Sequence, residues 1–176
     1  MKFLLIQAVG AVAFALLSFS YFKKEKKDIL VIQILATIAF SIHYYFLSGL
    51  TGTICNILSL ISLIIIYLFE KHNGKNKKLL ILCIIPLLIL ISLFTYENIF
   101  SIFPVIASTV VLISFLLSDE NTIRISGIVS AVCWLIYAIK YKSYVAMIFE
   151  IFIIITTTIA FFENRNSKKE INLKRR

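Results

Sequence analysis

Seven apolar runs, each ended by a short polar break, decide what this chain can become. They cover about 3–22, 29–48, 51–69, 79–96, 99–117, 122–140 and 143–162. Crossing about 30 Å of hydrocarbon takes about 20 helical residues, and every run is close to that length. With 60% hydrophobic residues and a mean hydropathy of +0.97, a soluble domain has no way to hide the apolar surface. The polar breaks are too short to hold a soluble domain as well. The expected class is therefore an all-α membrane protein with seven transmembrane helices. Lys2 and Ala13-Phe14-Ala15 imitate a signal peptide with its cleavage site. The apolar run continues to Phe22 and meets a lysine-rich stop, so it is read as the first helix.

The breaks set the expected orientation. Fifteen lysines and arginines follow runs one, three, five and seven, whereas Lys2, Lys140 and Lys142 lie on the other side. By the positive-inside rule the N-terminus is outside and the C-terminus cytoplasmic. The net charge of +9 is thus a topology signal, and nucleic acid is not expected as a partner. Residues 164–176 form a basic tail, expected to be disordered or to lie on anionic lipid headgroups. Pro104 falls in the first turn of its run, where it costs little, while Pro86 lies deeper and is expected to kink the fourth helix. Cys55, Cys83 and Cys133 all sit inside apolar runs without metal or disulfide spacing, and read as small core residues.

The chain repeats itself. Shifting it by 94 residues lays runs two and three on runs six and seven without a gap. Phe40 falls on Trp134, His43 on Tyr137, Ala36 on Ser130 and Asn56 on Glu150. Run one falls on run five with a slightly different offset, Gly10 on Ala107 and Ala11 on Ser108. The plan is a first three-helix repeat (1–69), a basic linker with a linking helix (70–98), a second three-helix repeat (99–163) and the tail. An odd number of linking helices makes the two repeats parallel, and in such transporters the substrate site lies near the midplane at their interface.

Glu150 marks that place. It is the one acidic residue inside an apolar run, and a charge at that depth costs about 2.5–3.5 kcal/mol on insertion scales. It reads either as a substrate or proton site or as a neutral, hydrogen-bonded structural acid. Ser130 and Trp134 share a helix face with Tyr137. Trp134 and Tyr137 read as cavity-lining or as interfacial belt residues, with Tyr141 and Tyr144 better suited to the belt. Asn56 is a site residue or glue between helices. His43, near the outer end of its run, is structural, snorkelling or titrating with external pH. Gln7, Gly10, Ala11, Phe14 and Ser18 form one stripe on the first helix. The threonines at 156–158 are expected to bond back to their own helix. There is no phosphate loop, no metal-ligand spacing and no nucleophile with a partnered base, so no enzyme, metal or cofactor is expected.

These residues resemble a known family. The W-x-x-Y pattern, a short loop and a polar residue on the next helix are similar to the SWEET and SemiSWEET sugar transporters. There a tryptophan, a small polar residue one turn earlier and an asparagine sixteen residues later line the pocket. Trp134, Ser130 and Glu150 hold those places in the second repeat; Phe40, Ala36 and Asn56 hold them in the first. The proline-glutamine dipeptide of that superfamily is absent, and a glutamate stands at 150 where it has asparagine. The whole chain more closely resembles the YgjV family of bacterial inner-membrane proteins. The shared features are the Q-x-x-G start of run one, P-V-I in run five, C-W in run six and the glutamate in run seven. The resemblance implies a multi-pass protein of the bacterial plasma (inner) membrane. The function expected is a small-solute secondary transporter with a site built from Glu150, Asn56, Trp134, Ser130, Phe40, Tyr137, His43 and Gln7. Its partners would be a small polar or cationic solute, protons, and headgroups at the tail, with a homo-oligomer left open. A receptor or sensor on the same scaffold, or a structural partner of another membrane protein, are the alternatives.

Overall fold

The computed structural model describes residues 2–20, 23, 25–71, 86–90, 93–117 and 120–174. Helix α1 covers Lys2–Ser20, α2 Lys26–Phe46, α3 Leu50–Lys71, α4 Ile102–Leu117, α5 Glu120–Lys140 and α6 Tyr144–Lys174. Among the described residues the regular structure is entirely helical. Four helices, α1, α2, α3 and α6, are long and apolar enough to cross a membrane. Residues 86–90 are helical, but most of the expected fourth span, the turn before Pro86 where its kink would fall, and Cys83 lie outside the described residues.

Local chemistry explains the boundaries. Ahead of α4, Asn98 caps a 3-10 turn, Ile99–Ser101. The Asn98 Oδ1 accepts the Phe100 amide at 3.0 Å, and Ser101 Oγ accepts the Asn98 amide at 3.4 Å. Pro104 is buried in the first turn of α4, where its missing N–H had no intrahelical acceptor to lose. The tail is not disordered. α6 continues without a break from the apolar span to Lys174. The segment after Phe162 carries neither proline nor glycine, and extending an existing helix costs far less than nucleating one.

Two turns connect α2 to α3 and α5 to α6. In the first, the amides of Leu47, Ser48 and Gly49 donate to the carbonyls of His43, Tyr45 and Tyr44. In the second, those of Tyr141, Lys142 and Ser143 donate to Tyr137, Ile139 and Ala138. The middle residue of each is left-handed, Ser48 at φ 61° and Lys142 at φ 54°. The two turns are the same structure, 94 residues apart.

Helix packing follows the same plan. α1 packs on α2 and α2 on α3; α4 packs on α5 and α5 on α6. Across the molecule α1 meets α6 and α3 meets α4. The buried positions are mostly small or polar: Ala13, Ala36, Ala107, Ala131, Ala138, Ala146 and a set of serines and threonines. Large apolar side chains such as Leu4, Phe94 and Ile148 point outward, Phe94 with 82% of its surface free. Small residues inside and bulky apolar ones outside is the packing that lipid favours.

Candidate functional site

The end of the molecule that carries the turns is tied shut. His43 is fully buried and reaches across two helices. Its Nδ1 lies 2.8 Å from the Ile6 carbonyl and its Nε2 2.6 Å from Ser143 Oγ. A carbonyl only accepts, so Nδ1 carries the proton and Nε2 accepts from the serine hydroxyl. The ring fits because residue 10 is glycine: a Cβ there would come within 2.8 Å of the imidazole. Tyr137, 94 residues on, does the converse. It is fully buried, and its hydroxyl accepts the Gly52 amide of α3 at 2.8 Å. A Cβ on Gly52 would overlap the Tyr137 ring. Gln7 adds a third tie, donating to the Lys142 carbonyl at 2.9 Å and accepting from the Val145 amide at 3.4 Å. Thr51 bonds the Thr95 carbonyl at 2.7 Å, and Tyr141 donates to Glu97 at 2.8 Å. Burial, with the Glu97 carboxylate beside it, pushes the Tyr141 phenol above its ordinary value.

Beneath this closure lies a cavity of about 530 Å³. Tyr44, Trp134 and Ala146 bound it near the turns, and it extends toward Leu17, Ile66, Val111 and Arg124 at the other end. Four helices supply most of the lining: α2 gives Gln33, Thr37 and Phe40, α3 Asn56, Ser59 and Ser62, α5 Ser130 and Trp134, α6 Phe149, Glu150 and Thr157. Tyr44 and Trp134 pack with ring centroids 5.6 Å apart, Phe40 and Phe149 at 6.0 Å. Glu150 sits among them, 9% exposed. It makes no hydrogen bond or ion pair among the described residues. Arg124 is ten residues before Trp134 on α5, about 15 Å of helix rise.

The eight residues expected at the site divide. Glu150, Asn56, Trp134, Ser130 and Phe40 line the cavity. Gln7, His43 and Tyr137 do not; they form the closure above it. Tyr137 is therefore no belt residue and His43 no snorkelling one, since both are sealed between helices. Tyr144, by contrast, is half exposed. Asn56 is not glue between helices: its amide donates to the Gly52 carbonyl of its own helix at 2.9 Å. Thr156 bonds back to Phe152 at 2.9 Å as expected, but Thr157 faces the cavity. Arg124, Gln33, Thr37, Ser59, Ser62, Ser108 and Tyr44 also line it and were not singled out by sequence. Cys55 and Cys133 are free and buried, in keeping with a core role.

No curated protein and no solved structure matches the chain. The model of the YgjV family, described as bacterial inner membrane protein, matches residues 4–168. With apolar, outward-facing helices and a family match over nearly its whole length, the chain belongs to the YgjV family of bacterial inner membrane proteins.

Proposed function

We propose that this membrane protein is a small-solute secondary transporter built as two parallel three-helix repeats around one central site. The observation that carries the reading is Glu150: a nearly buried acid with no hydrogen bond among the described residues, facing a cavity of ligand size. Three features support the repeat: the matching turns, the cross-ties from His43 and Tyr137, and the exchange of partners in which the first helix of each triplet meets the third of the other. With the N-terminus outside, the closed end faces the exterior and the cavity points to the cytoplasm. Alternating access would open the His43 and Tyr137 ties while the basic end closes. The solute would be small and polar or cationic, with a proton as its companion or competitor at Glu150.

Reconstituted protein is expected to take up its solute with a dependence on pH across the range 5–8 that Glu150→Gln abolishes. Uptake unchanged in that variant would remove Glu150 from coupling. One observation favours a sensor on the same scaffold: α6 runs unbroken from Glu150 to the basic tail, a direct link from cavity to cytoplasm. Deleting residues 164–176 separates the two, since a transporter keeps its uptake and a sensor loses its output while still binding ligand.

A further inference from the structure

We infer that the cavity recognises an organic cation, a small amine or ammonium compound, with Glu150 as its counter-ion and aromatic rings as its walls. The inference rests on the central site proposed above and names the class of solute it holds. The buried polar side chains of the closure above it have protein partners: His43 bonds Ile6 and Ser143, Tyr137 bonds Gly52, and Thr51 bonds Thr95. Among the described residues Glu150 has none, yet it is nine-tenths buried and faces the cavity. A counter-ion for the carboxylate has its way in through the cavity, where a proton is its competitor.

The walls say what kind of group that is. Phe40, Tyr44, Trp134 and Phe149 line the same space as the carboxylate. Aromatic faces are negative and attract cations, the more so in a desolvated pocket. An anion would meet both the carboxylate and the ring faces unfavourably. A polyol would need donors and acceptors all round its outline, whereas the Thr37 and Ser62 hydroxyls and one N–H of the Asn56 amide are turned back on their own helices. The protein's own cations are elsewhere: Lys140 lies 5.3 Å from the Phe100 ring outside the cavity, and Arg124 is at the far end. A positive head on an apolar body satisfies the acid and the rings together. A volume of about 530 Å³ holds such a molecule with room to spare.

Trp134 is the single tryptophan of the chain, so its emission reports on this cavity alone. The full-length protein in detergent is titrated with methylammonium, tetramethylammonium, choline and benzyltrimethylammonium. Dimethylbutanol, the neutral carbon isostere of choline, and glucose serve as comparisons. At least one ammonium compound is expected to change the emission saturably, with an affinity at least about tenfold above its neutral isostere and above glucose. In Glu150→Gln that advantage is expected to vanish. The inference is overturned if no ammonium compound binds more tightly than the neutral comparisons, or if the variant keeps the preference. The wild-type comparison stands by itself should the variant fold poorly. Uptake of the same compounds into proteoliposomes is measured separately. Binding without uptake removes transport and keeps the cation site. Uptake of a neutral solute without ammonium binding removes the cation site and keeps transport.

Discussion

His43 and Thr109 show at single residues what a hydroxyl is worth inside this protein. Ser143 Oγ donates to the imidazole at 2.6 Å, and the ring has no water to turn to if that hydroxyl goes. Thr109 Oγ1 is buried too but has no partner among the described residues. Removing a made bond strands its partner, whereas removing an unmade one relieves a desolvated group. Ser143→Ala is expected to destabilise by about 1–2 kcal/mol, near the upper end for hydrogen bonds between membrane helices. Thr109→Val keeps the shape and is expected to be neutral or to stabilise by up to about 1 kcal/mol. Reversible unfolding in mixed micelles reads both. Equal losses in the two variants would show that the hydroxyl pairing assigned to His43 contributes nothing.

The two turns carry the argument at the level of elements. Ser48 and Lys142 both sit in the left-handed region, which costs a residue with a Cβ about 1–2 kcal/mol. Glycine removes that cost and adds some unfolded-state entropy, so Ser48→Gly and Lys142→Gly are each expected to stabilise by about 0.5–1 kcal/mol. Because the hydrogen bonds are the same, the two values should agree within about 0.5 kcal/mol. Opposite signs in the same unfolding assay would separate the turns. The likeness of these two turns was legible as a shift of 94 residues because span length and polarity match there although residue identity does not. Glu150, Asn56 and Trp134 were legible for a related reason: each is conspicuous within an apolar run. Thr37, Ser59, Ser62 and Thr157 were not, since a serine or threonine in a membrane helix can always satisfy itself, as Thr37 does on the Gln33 carbonyl at 2.7 Å. His43 and Tyr137 were misplaced because their burial depends on Gly10 and Gly52 of other helices. Nothing in a helix's own pattern reveals space opened by its neighbour.

At the scale of the whole molecule, the closure and the charge pattern together predict which side the cavity opens to. The ties of Gln7, His43 and Tyr137 all lie at the end that holds Lys142. The cavity reaches the other way, toward Arg124 and Thr157, the side on which α1 ends, α2 begins and α3 ends, each next to a lysine-rich break in the sequence. If those breaks are cytoplasmic, water enters the cavity from the cytoplasm. Three single cysteines test this on a background with Cys55, Cys83 and Cys133 replaced by alanine. Lys142→Cys, exposed at the turn, should react with a membrane-impermeant maleimide added outside. Thr157→Cys, on the cavity face of α6, should react when the reagent is on the cytoplasmic side. Ile155→Cys, on the same helix but half exposed on its outer surface, should react from neither side because lipid covers it. Labelling of Lys142→Cys from the cytoplasm would invert the topology and leave the cavity intact. Labelling of Thr157→Cys from outside, with Lys142→Cys also outside, would put the opening at the end the ties close. Equal, slow labelling of Thr157→Cys and Ile155→Cys would mean that the space beside Glu150 is dry, and the acid would then have to be a structural, neutral one.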